Sequence, residues 1–357
     1  MSQLRVGLVG YGLAGRVFHA PLLRACPQLA LVAVVTTSAE RAGEVTSDHA
    51  GHARRDEPAP SVRGDLATML AQDRLDLVVV ASTTGTHAQL AGQAVDAGVA
   101  CVVDKPLAVH AAQAADLVAR AQSAGVPLTV FQNRRWDSDT ATVAHLMAAG
   151  ALGTVHRLES RFERWRPQAR PQAWRERLPA AEGGGLLLDL GSHLVDQATM
   201  LLGPAVGVYA EVAALRGLAD DDDFLAIEHA SGARSHLWAS ALAGRPGPRL
   251  RVQGSGGAYL VEALDGQEDV LRATGVAPVG GWVPPATAWG VLVRGEASWP
   301  VPSRPGRWDS FYPAVAAALE QGTAMPVDPL DAVRTLGVLD AAATSAREHR
   351  VVAVAPR

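Results

Sequence analysis

The sequence predicts two domains of different class: an α/β domain built as a doubly wound parallel sheet, then an α+β domain with an antiparallel sheet. Three observations carry the prediction. Up to residue 132, short apolar runs alternate with helix patterns across brief connections, the rhythm of a βαβ chain. Beyond residue 150, strand patterns follow one another through tight turns. The length, 357 residues, exceeds one ordinary domain of about 100–200 residues and suits two. The boundaries expected are 1–132 and 133–357.

The first five strands are "LRVGLVG" (4–10), "LALVAVV" (29–35), "LDLVVVA" (75–81), "VACVVD" (99–104) and "VPLTVFQ" (126–132). They are continuously apolar rather than alternating, which fits strands covered by helices on both faces. Asp65 precedes "LATMLAQ" and Thr86 precedes "HAQLAGQAVDAG" as helix start signals, and "HAAQAADLVARAQSAG" ends at Gly125. Gly98 and Gly125 stand where a left-handed C-terminal cap is expected. Residues 48–61 match no element and read as a surface loop. In the second half, 155–165, 206–215, 223–242 and 249–262 read as strands, with Ser231-Gly232 and Ser255-Gly256-Gly257 at hairpins. Helix patterns fall at about 188–202, 309–321 and 329–347. The C-terminal helix is expected to pack back on the first domain.

With 48% hydrophobic and 19% charged residues and no long uncharged apolar run, the chain reads as globular, without a membrane span. No basic leader precedes the first strand, and the expected location is cytoplasmic. A net charge of −4 gives no footprint for nucleic acid. The arginines of "RFERWRPQARPQAWRER" (161–177) read mostly as a solvated face, with an anionic or polyhydroxyl ligand rim as the alternative. Cys26 and Cys101 lack metal-ligand spacing and read as buried free thiols. The run Asp220 to Asp223 reads as a solvated loop, since a metal cluster would alternate ligands with spacers. No metal site is expected.

Gly10, Gly12 and Gly15 form G-x-G-x-x-G between the first strand and a helix. It reads as a dinucleotide cradle in which Gly10, Tyr11, Gly12, Leu13, Ala14 and Gly15 approach the pyrophosphate and the helix N-terminus faces it, with a purely structural glycine turn as the alternative. The second strand ends in Thr36, Thr37 and Ser38, where an acidic residue would read the ribose of NAD, and Arg41 follows within a turn. Hydroxyls and a guanidinium can bond a 2′-phosphate, so NADP is expected, with NAD possible; the alternative is that these residues only cap the second helix. Lys105 stands at the carboxyl end of a parallel strand, the edge where such sheets bind ligands. Asp189 and His193 are four apart in a helix pattern and would share one face. The alternatives are a helix cap and a satisfied core histidine.

Taken with "FHAP" (18–21), "STTGTH" (82–87), "DKP" (104–106), "NRRWDSD" (133–139) and the spacing of Gly185, Asp189 and His193, the sequence resembles the Gfo/Idh/MocA oxidoreductases over nearly its whole length. "FHAP" and "NRRWDSD" look most like the NADP-dependent scyllo-inositol dehydrogenase branch. The resemblance implies a Rossmann domain followed by an α+β domain with a large, mostly antiparallel open sheet. It implies Lys105, Asp189 and His193 as catalytic residues: His193 as the base that takes the hydroxyl proton, or the acid in reduction, Asp189 orienting it, and Lys105 steadying the substrate oxygen. Ser82, Thr83, His87, Lys105 and Pro106 would face the cofactor. Asn133, Arg134, Trp136 and Tyr312 are expected around a cyclic polyol or sugar. The implied assembly is a homodimer or homotetramer.

The sequence departs from the family pattern in three places. Asp104 replaces the commoner glutamate, "STTGTH" lacks a T-P-N form, and residues 265–305, with Trp282, Trp289 and Trp299, match no element. Two other functions stay open: nicotinamide-assisted glycoside hydrolysis, and a non-catalytic NADP-binding sensor.

Overall fold

The continuous apolar runs of the first half become β1 (Leu4–Val9), β2 (Leu29–Val35), β3 (Ser61–Arg63), β4 (Leu77–Val80), β5 (Ala100–Asp104) and β6 (Leu128–Phe131). The computed structural model describes residues 3–52, 58–170 and 172–354. All six strands are parallel, in the order β3-β2-β1-β4-β5-β6. The chain leaves β1 for β2 on one side and later fills β4 on the other. The carboxyl ends of β1 and β4 therefore open onto the crevice where doubly wound sheets bind ligands.

The helix Leu66–Gln72 starts as its sequence dictates, with the Asp65 carboxylate accepting from the Thr68 amide at 2.7 Å. Helix Ala111–Ala124 ends at Gly125 with φ 65°. The stretch 48–61 is not one loop. Helix Ala39–His52 runs into it and β3 opens at Ser61, while 53–57 lie outside the described residues. The helix buries only Val45, so its polar sequence carries no apolar stripe to announce it.

The second half forms β7 (Val155–Glu163), β8 (Ala205–Ala213), β9 (Asp222–His229), β10 (Arg234–Ser240), β11 (Leu250–Gly254), β12 (Gly257–Val261), β13 (Gly290–Arg294), β14 (Ala297–Val301) and β15 (Val352–Ala353). Their order is β14-β13-β12-β11-β7-β10-β9-β8-β15, with β7 and β10 parallel and every other pair antiparallel. Burial alternates along β9 and β10, as it must where one face is covered. Helices Ser192–Leu202 and Pro329–Glu348 pack on this sheet, and the latter also lies against helix Ala111–Ala124 of the first domain.

Residues 265–305, unplaced from sequence, hold the helix Gln267–Thr274 and the edge pair β13 and β14. Trp282 closes over Gly266, Trp289 Nε1 donates to the Pro284 carbonyl at 3.2 Å, and Trp299 lies exposed on β14. Cys26 and Cys101 are both buried, and the Cys26 thiol donates to the Gln28 side-chain carbonyl at 3.2 Å. Among the described residues no helix is long and apolar enough to cross a membrane.

Candidate active site

The glycine loop is shaped by what a side chain would strike. Gly10 has φ 96°, and a Cβ there would lie 2.6 Å from the Ala81 carbonyl oxygen, at the mouth of the crevice between β1 and β4. A Cβ at Gly15 would overlap the Gly10 carbonyl oxygen. A Cβ at Gly12 would meet nothing nearer than the Arg41 guanidinium, at 3.9 Å. The loop is therefore a backbone cradle open to a ligand, followed by a π turn, Ala14–His19, and the helix Ala20–Ala25. Tyr11 turns away from the cradle. Its side chain is buried and its hydroxyl donates to Asp48 at 3.1 Å, and burial, then Asp48, push the phenol up to about 12. Only its backbone is available to a dinucleotide.

At the end of β2, Thr36, Thr37 and Ser38 present hydroxyls and no carboxylate. Arg41 is exposed and makes no ion pair or side-chain hydrogen bond among the described residues. The Ser38 hydroxyl accepts from the Arg41 amide at 3.3 Å. Ser82 and Thr83 follow β4. His87 is different from expectation: it is buried, its Nδ1 lies 2.8 Å from the Pro106 carbonyl and its Nε2 3.3 Å from the Ser82 carbonyl. It ties the β4 loop to the turn after β5, and both nitrogens are already used.

That turn carries Lys105, followed by a cis peptide to Pro106. Lys105 Nζ donates to the Asp189 carboxylate and to the Asp189 carbonyl, both at 2.8 Å. Arg175 Nε lies 3.2 Å from the same carboxylate oxygen. Burial alone would raise the Asp189 carboxyl, but Lys105, Arg175 and Arg164 outweigh it and hold it far below the usual carboxylate range. The neighbouring Asp104 is buried, with His19 Nε2 at 3.8 Å. There too the nearby His19, Lys105 and His87 overcome burial and lower the acid.

Asp189 and His193 do not pair. Asp189 lies in a second π turn, Leu187–Gly191, and His193 in the α-helix Ser192–Leu202 that follows. The wider turn breaks the four-residue alignment of an α-helix, so the carboxylate faces Lys105 and Arg175. His193 is buried, and among the described residues its Nδ1 has no partner. Burial first, then Lys105, Arg134, Arg249 and Arg175, drive its pKa well below the ordinary histidine value.

The π turn is braced by the acidic run, which is not a solvated loop. Asp220, Asp221 and Asp223 are buried. Asp220 accepts from the Leu187 amide at 2.7 Å and Asp221 from the amides of Leu215 and Arg216, both at 2.9 Å. Asp223 finds no donor; burial and then Asp220 beside it raise its carboxyl well above the usual range. Buried backbone amides need acceptors, and these carboxylates supply them. Among the described residues no group of His, Cys, Asp and Glu could hold a metal ion.

A cavity of about 660 Å³ joins the parts, with Leu13 and Ala14 of the cradle, Lys105, Asn133, Arg134, Asp189 and His193 on its wall. Two residues expected at the substrate are elsewhere. Tyr312 is fully buried and its hydroxyl lies 2.7 Å from His19 Nδ1. Trp136 packs edge-on against Phe311, centroids 5.7 Å apart. Both serve the aromatic core behind the site, which the spacing along the chain could not distinguish from a pocket wall.

What the sequence reading underweighted is the arginine segment. Arg164, Arg166, Arg170 and Arg175 all line the cavity, with Phe162 at the base, over which Arg134 Cζ sits 4.8 Å from the ring centroid. Strand alternation could have shown it, because Arg164 and Arg166 share a face just past the end of β7. Asp265, Glu268 and Arg272, on or beside the helix Gln267–Thr274, supply another stretch of wall.

A Rossmann sheet with an open glycine cradle, sharing a cavity with a lysine–aspartate pair and a buried neutral histidine, defines a two-domain NAD-binding oxidoreductase. Residues 4–132 match the model of an oxidoreductase family with an NAD-binding Rossmann fold, and 140–260 match the GFO/IDH/MocA C-terminal domain. The chain belongs to the Gfo/Idh/MocA family. It is 36% identical to the uncharacterised oxidoreductase YdgJ of Escherichia coli, covering 99% of both chains. It is 30% identical to the NADP(+) scyllo-inositol 2-dehydrogenase IolW of Bacillus subtilis, over 99% of this chain and 96% of that one. Among solved structures, a candidate oxidoreductase from Yersinia pestis superposes with a TM-score of 0.87 at 32% identity, covering 100% of this chain and 98% of that one.

Proposed function

We propose that the protein is an NADP-preferring dehydrogenase or reductase that moves hydride between nicotinamide and a secondary alcohol carbon of a cyclic polyol or sugar. The observation that carries this reading is the cavity itself, which connects the glycine cradle to Lys105, Asp189 and His193. The cradle suits a dinucleotide because side chains are excluded at Gly10 and Gly15. NADP is favoured because Arg41 beside Gly12 makes no ion pair or side-chain hydrogen bond among the described residues and the end of β2 lacks a carboxylate. The relative IolW is itself named for NADP(+).

When bound, the dinucleotide supplies the hydride acceptor or donor. The remaining work belongs to side chains. Its depressed pKa keeps the His193 imidazole neutral at physiological pH, the form that accepts the hydroxyl proton during oxidation. In reduction the same group, once protonated, is a strong acid toward the developing alkoxide. Lys105, fixed by Asp189, places an ammonium at the oxygen whose charge grows in the transition state. Asp189 is thus a positioning residue for Lys105 rather than for His193, and Arg175 steadies it from the other side. Asn133 and Arg134 supply polar groups for further hydroxyls.

The test is to follow nicotinamide absorbance while inositols, aldoses and their keto forms are offered with NADP+, NADPH, NAD+ and NADH. Net cofactor reduction or oxidation with a polyol or sugar, faster with the phosphorylated dinucleotide, is expected. Turnover without net cofactor change would overturn the reading.

A further inference from the structure

The cavity wall is mostly charge-compensated, with one exception. Arg134 pairs with Glu268 at 3.1 Å, Arg272 with Glu268 at 2.7 Å, Arg170 with Glu176 at 2.7 Å, and Lys105 and Arg175 share Asp189. Two carboxylates of the wall are held by backbone amides, while Asp269 makes no ion pair or side-chain hydrogen bond among the described residues. Glu163 accepts from the Gly247 amide at 2.7 Å, and Asp265 from the amides of Ser138 and Gln267, at 2.7 and 2.8 Å.

Arg164 and Arg166 stand outside this balance. Among the described residues neither guanidinium has a hydrogen bond or an ion pair, and Arg164 Nε is buried with no acceptor. Their backbones are fixed. Beyond β7 the chain keeps pairing with β10 and the loop after it: the Arg164 amide donates to Ser240 at 2.9 Å, that of Arg166 to Ala241 at 2.7 Å, and Trp165 bridges Leu242. The alternation sends Trp165 away from the cavity, 59% exposed, and the two arginines to the cavity side, Arg164 half-buried and Arg166 exposed at the rim. Burial first, then the neighbouring Arg166, push the Arg164 guanidinium below its usual pKa although Asp189 and Glu176 act in the other direction, as expected of a cation with no acceptor in direct contact.

A buried guanidinium donor left without an acceptor is costly, and a planar donor fork matches a carboxylate or phosphate. We propose that the substrate is a polyhydroxy compound carrying an anionic group, carboxylate or phosphate, which seats against Arg164 and Arg166 while its reacting carbon lies at Lys105 and His193. This rests on the oxidoreductase reading and adds the charge of the substrate to it. The neutral inositols would then be weaker ligands than acidic or phosphorylated sugars.

The test uses the enzyme saturated with the nicotinamide dinucleotide it binds more tightly. Calorimetry compares galactose, galacturonate and galactose 6-phosphate on the wild type, on Arg164→Gln and on Arg166→Gln, each checked for an unchanged Tm. At least one anionic sugar should bind roughly tenfold or more tightly than galactose, as a charge-assisted hydrogen bond allows. Arg164→Gln should erase that advantage and leave galactose and the dinucleotide bound as before. A preference for galacturonate identifies a carboxylate substrate, and one for galactose 6-phosphate a phosphate. Equal binding of all three sugars to the wild type, or an advantage that survives both substitutions, overturns the proposal. Loss of dinucleotide affinity in Arg164→Gln also overturns it, since the guanidinium would then belong to the cofactor. Turnover of these sugars is measured separately: anion-selective binding without nicotinamide turnover would leave the subsite standing and refute the oxidoreductase reading.

Discussion

Replacing Arg41 by alanine should convert an NADP-preferring enzyme into one that barely distinguishes the two dinucleotides. The guanidinium stands 3.9 Å from where a Cβ at Gly12 would lie and makes no ion pair or side-chain hydrogen bond with any described residue. Its charge is available to a 2′-phosphate at the end of β2, where Thr36, Thr37 and Ser38 offer hydroxyls. A charge-assisted hydrogen bond in a dry site is worth about 1.5–3 kcal/mol. Arg41 is exposed, so solvent screening takes the effect to the low end, roughly a tenfold loss in kcat/KM for NADP+. NAD+ has no 2′-phosphate, and its kcat/KM should stay within about twofold, a change too small to signal a lost ion pair. Raising ionic strength should erode the NADP+ value in the wild type more than in the variant. Steady-state kinetics with both dinucleotides at two salt concentrations measures all of this. A wild type that prefers NAD+, or an Arg41→Ala variant that loses both cofactors equally, would refute the assignment.

Three further outcomes follow from the site. His193→Ala should lower kcat by about a hundredfold or more with dinucleotide affinity intact, read by stopped-flow and cofactor titration; a change of less than threefold or so would remove His193 from the chemistry. Gly15→Ala should weaken dinucleotide binding and lower Tm together, because its Cβ overlaps the Gly10 carbonyl and a strained core typically costs about 1–3 kcal/mol; an unchanged Tm and Kd would show that the loop relaxes freely. Two buried groups should make stability depend on pH in opposite directions. His193, lowered in the fold, contributes stability that is present above its unfolded value near ~6.5 and lost as pH falls below it. Asp223, raised in the fold, contributes stability that is present below its unfolded value near ~3.9 and lost as pH rises through its folded value. Asp223→Asn removes the ionisable proton, so its Tm relative to the wild type should rise with pH above about 3.9, by about 2–4 °C in all; a Tm difference independent of pH would rule this out.

The sequence by itself determined the local devices. Five of the six parallel strands were legible because both-face burial leaves unbroken apolar runs. The glycine cradle was legible because G-x-G-x-x-G is a statement about backbone clearance, and a side chain at Gly15 would overlap the Gly10 carbonyl oxygen. The helix start at Asp65 and stop at Gly125 are set by neighbours in the chain. Short or polar elements escaped: β3 has three residues, and the edge strands β13 and β14 lie in a segment rich in glycine and proline.

Only the tertiary structure decided which side chains meet. The spacing of Asp189 and His193 suggested a pair, yet a π turn rotates the carboxylate to Lys105, 84 residues away in the chain. Tyr312 looked like a ligand for substrate and is held in the core by His19, 293 residues distant. Asp220, Asp221 and Asp223 looked solvated and instead are buried, Asp220 and Asp221 accepting from backbone amides and Asp223 raised in pKa by burial and by Asp220 beside it. Of the arginines after β7, Arg166, Arg170 and Arg177 are exposed as a solvated face would be, and only the fold shows that Arg164, Arg166, Arg170 and Arg175 also border the cavity. Propensity, capping and backbone clearance act over a few residues and can be read in order along a chain. Burial, charge balance and the partners of a side chain depend on elements that the chain brings into contact only when it folds.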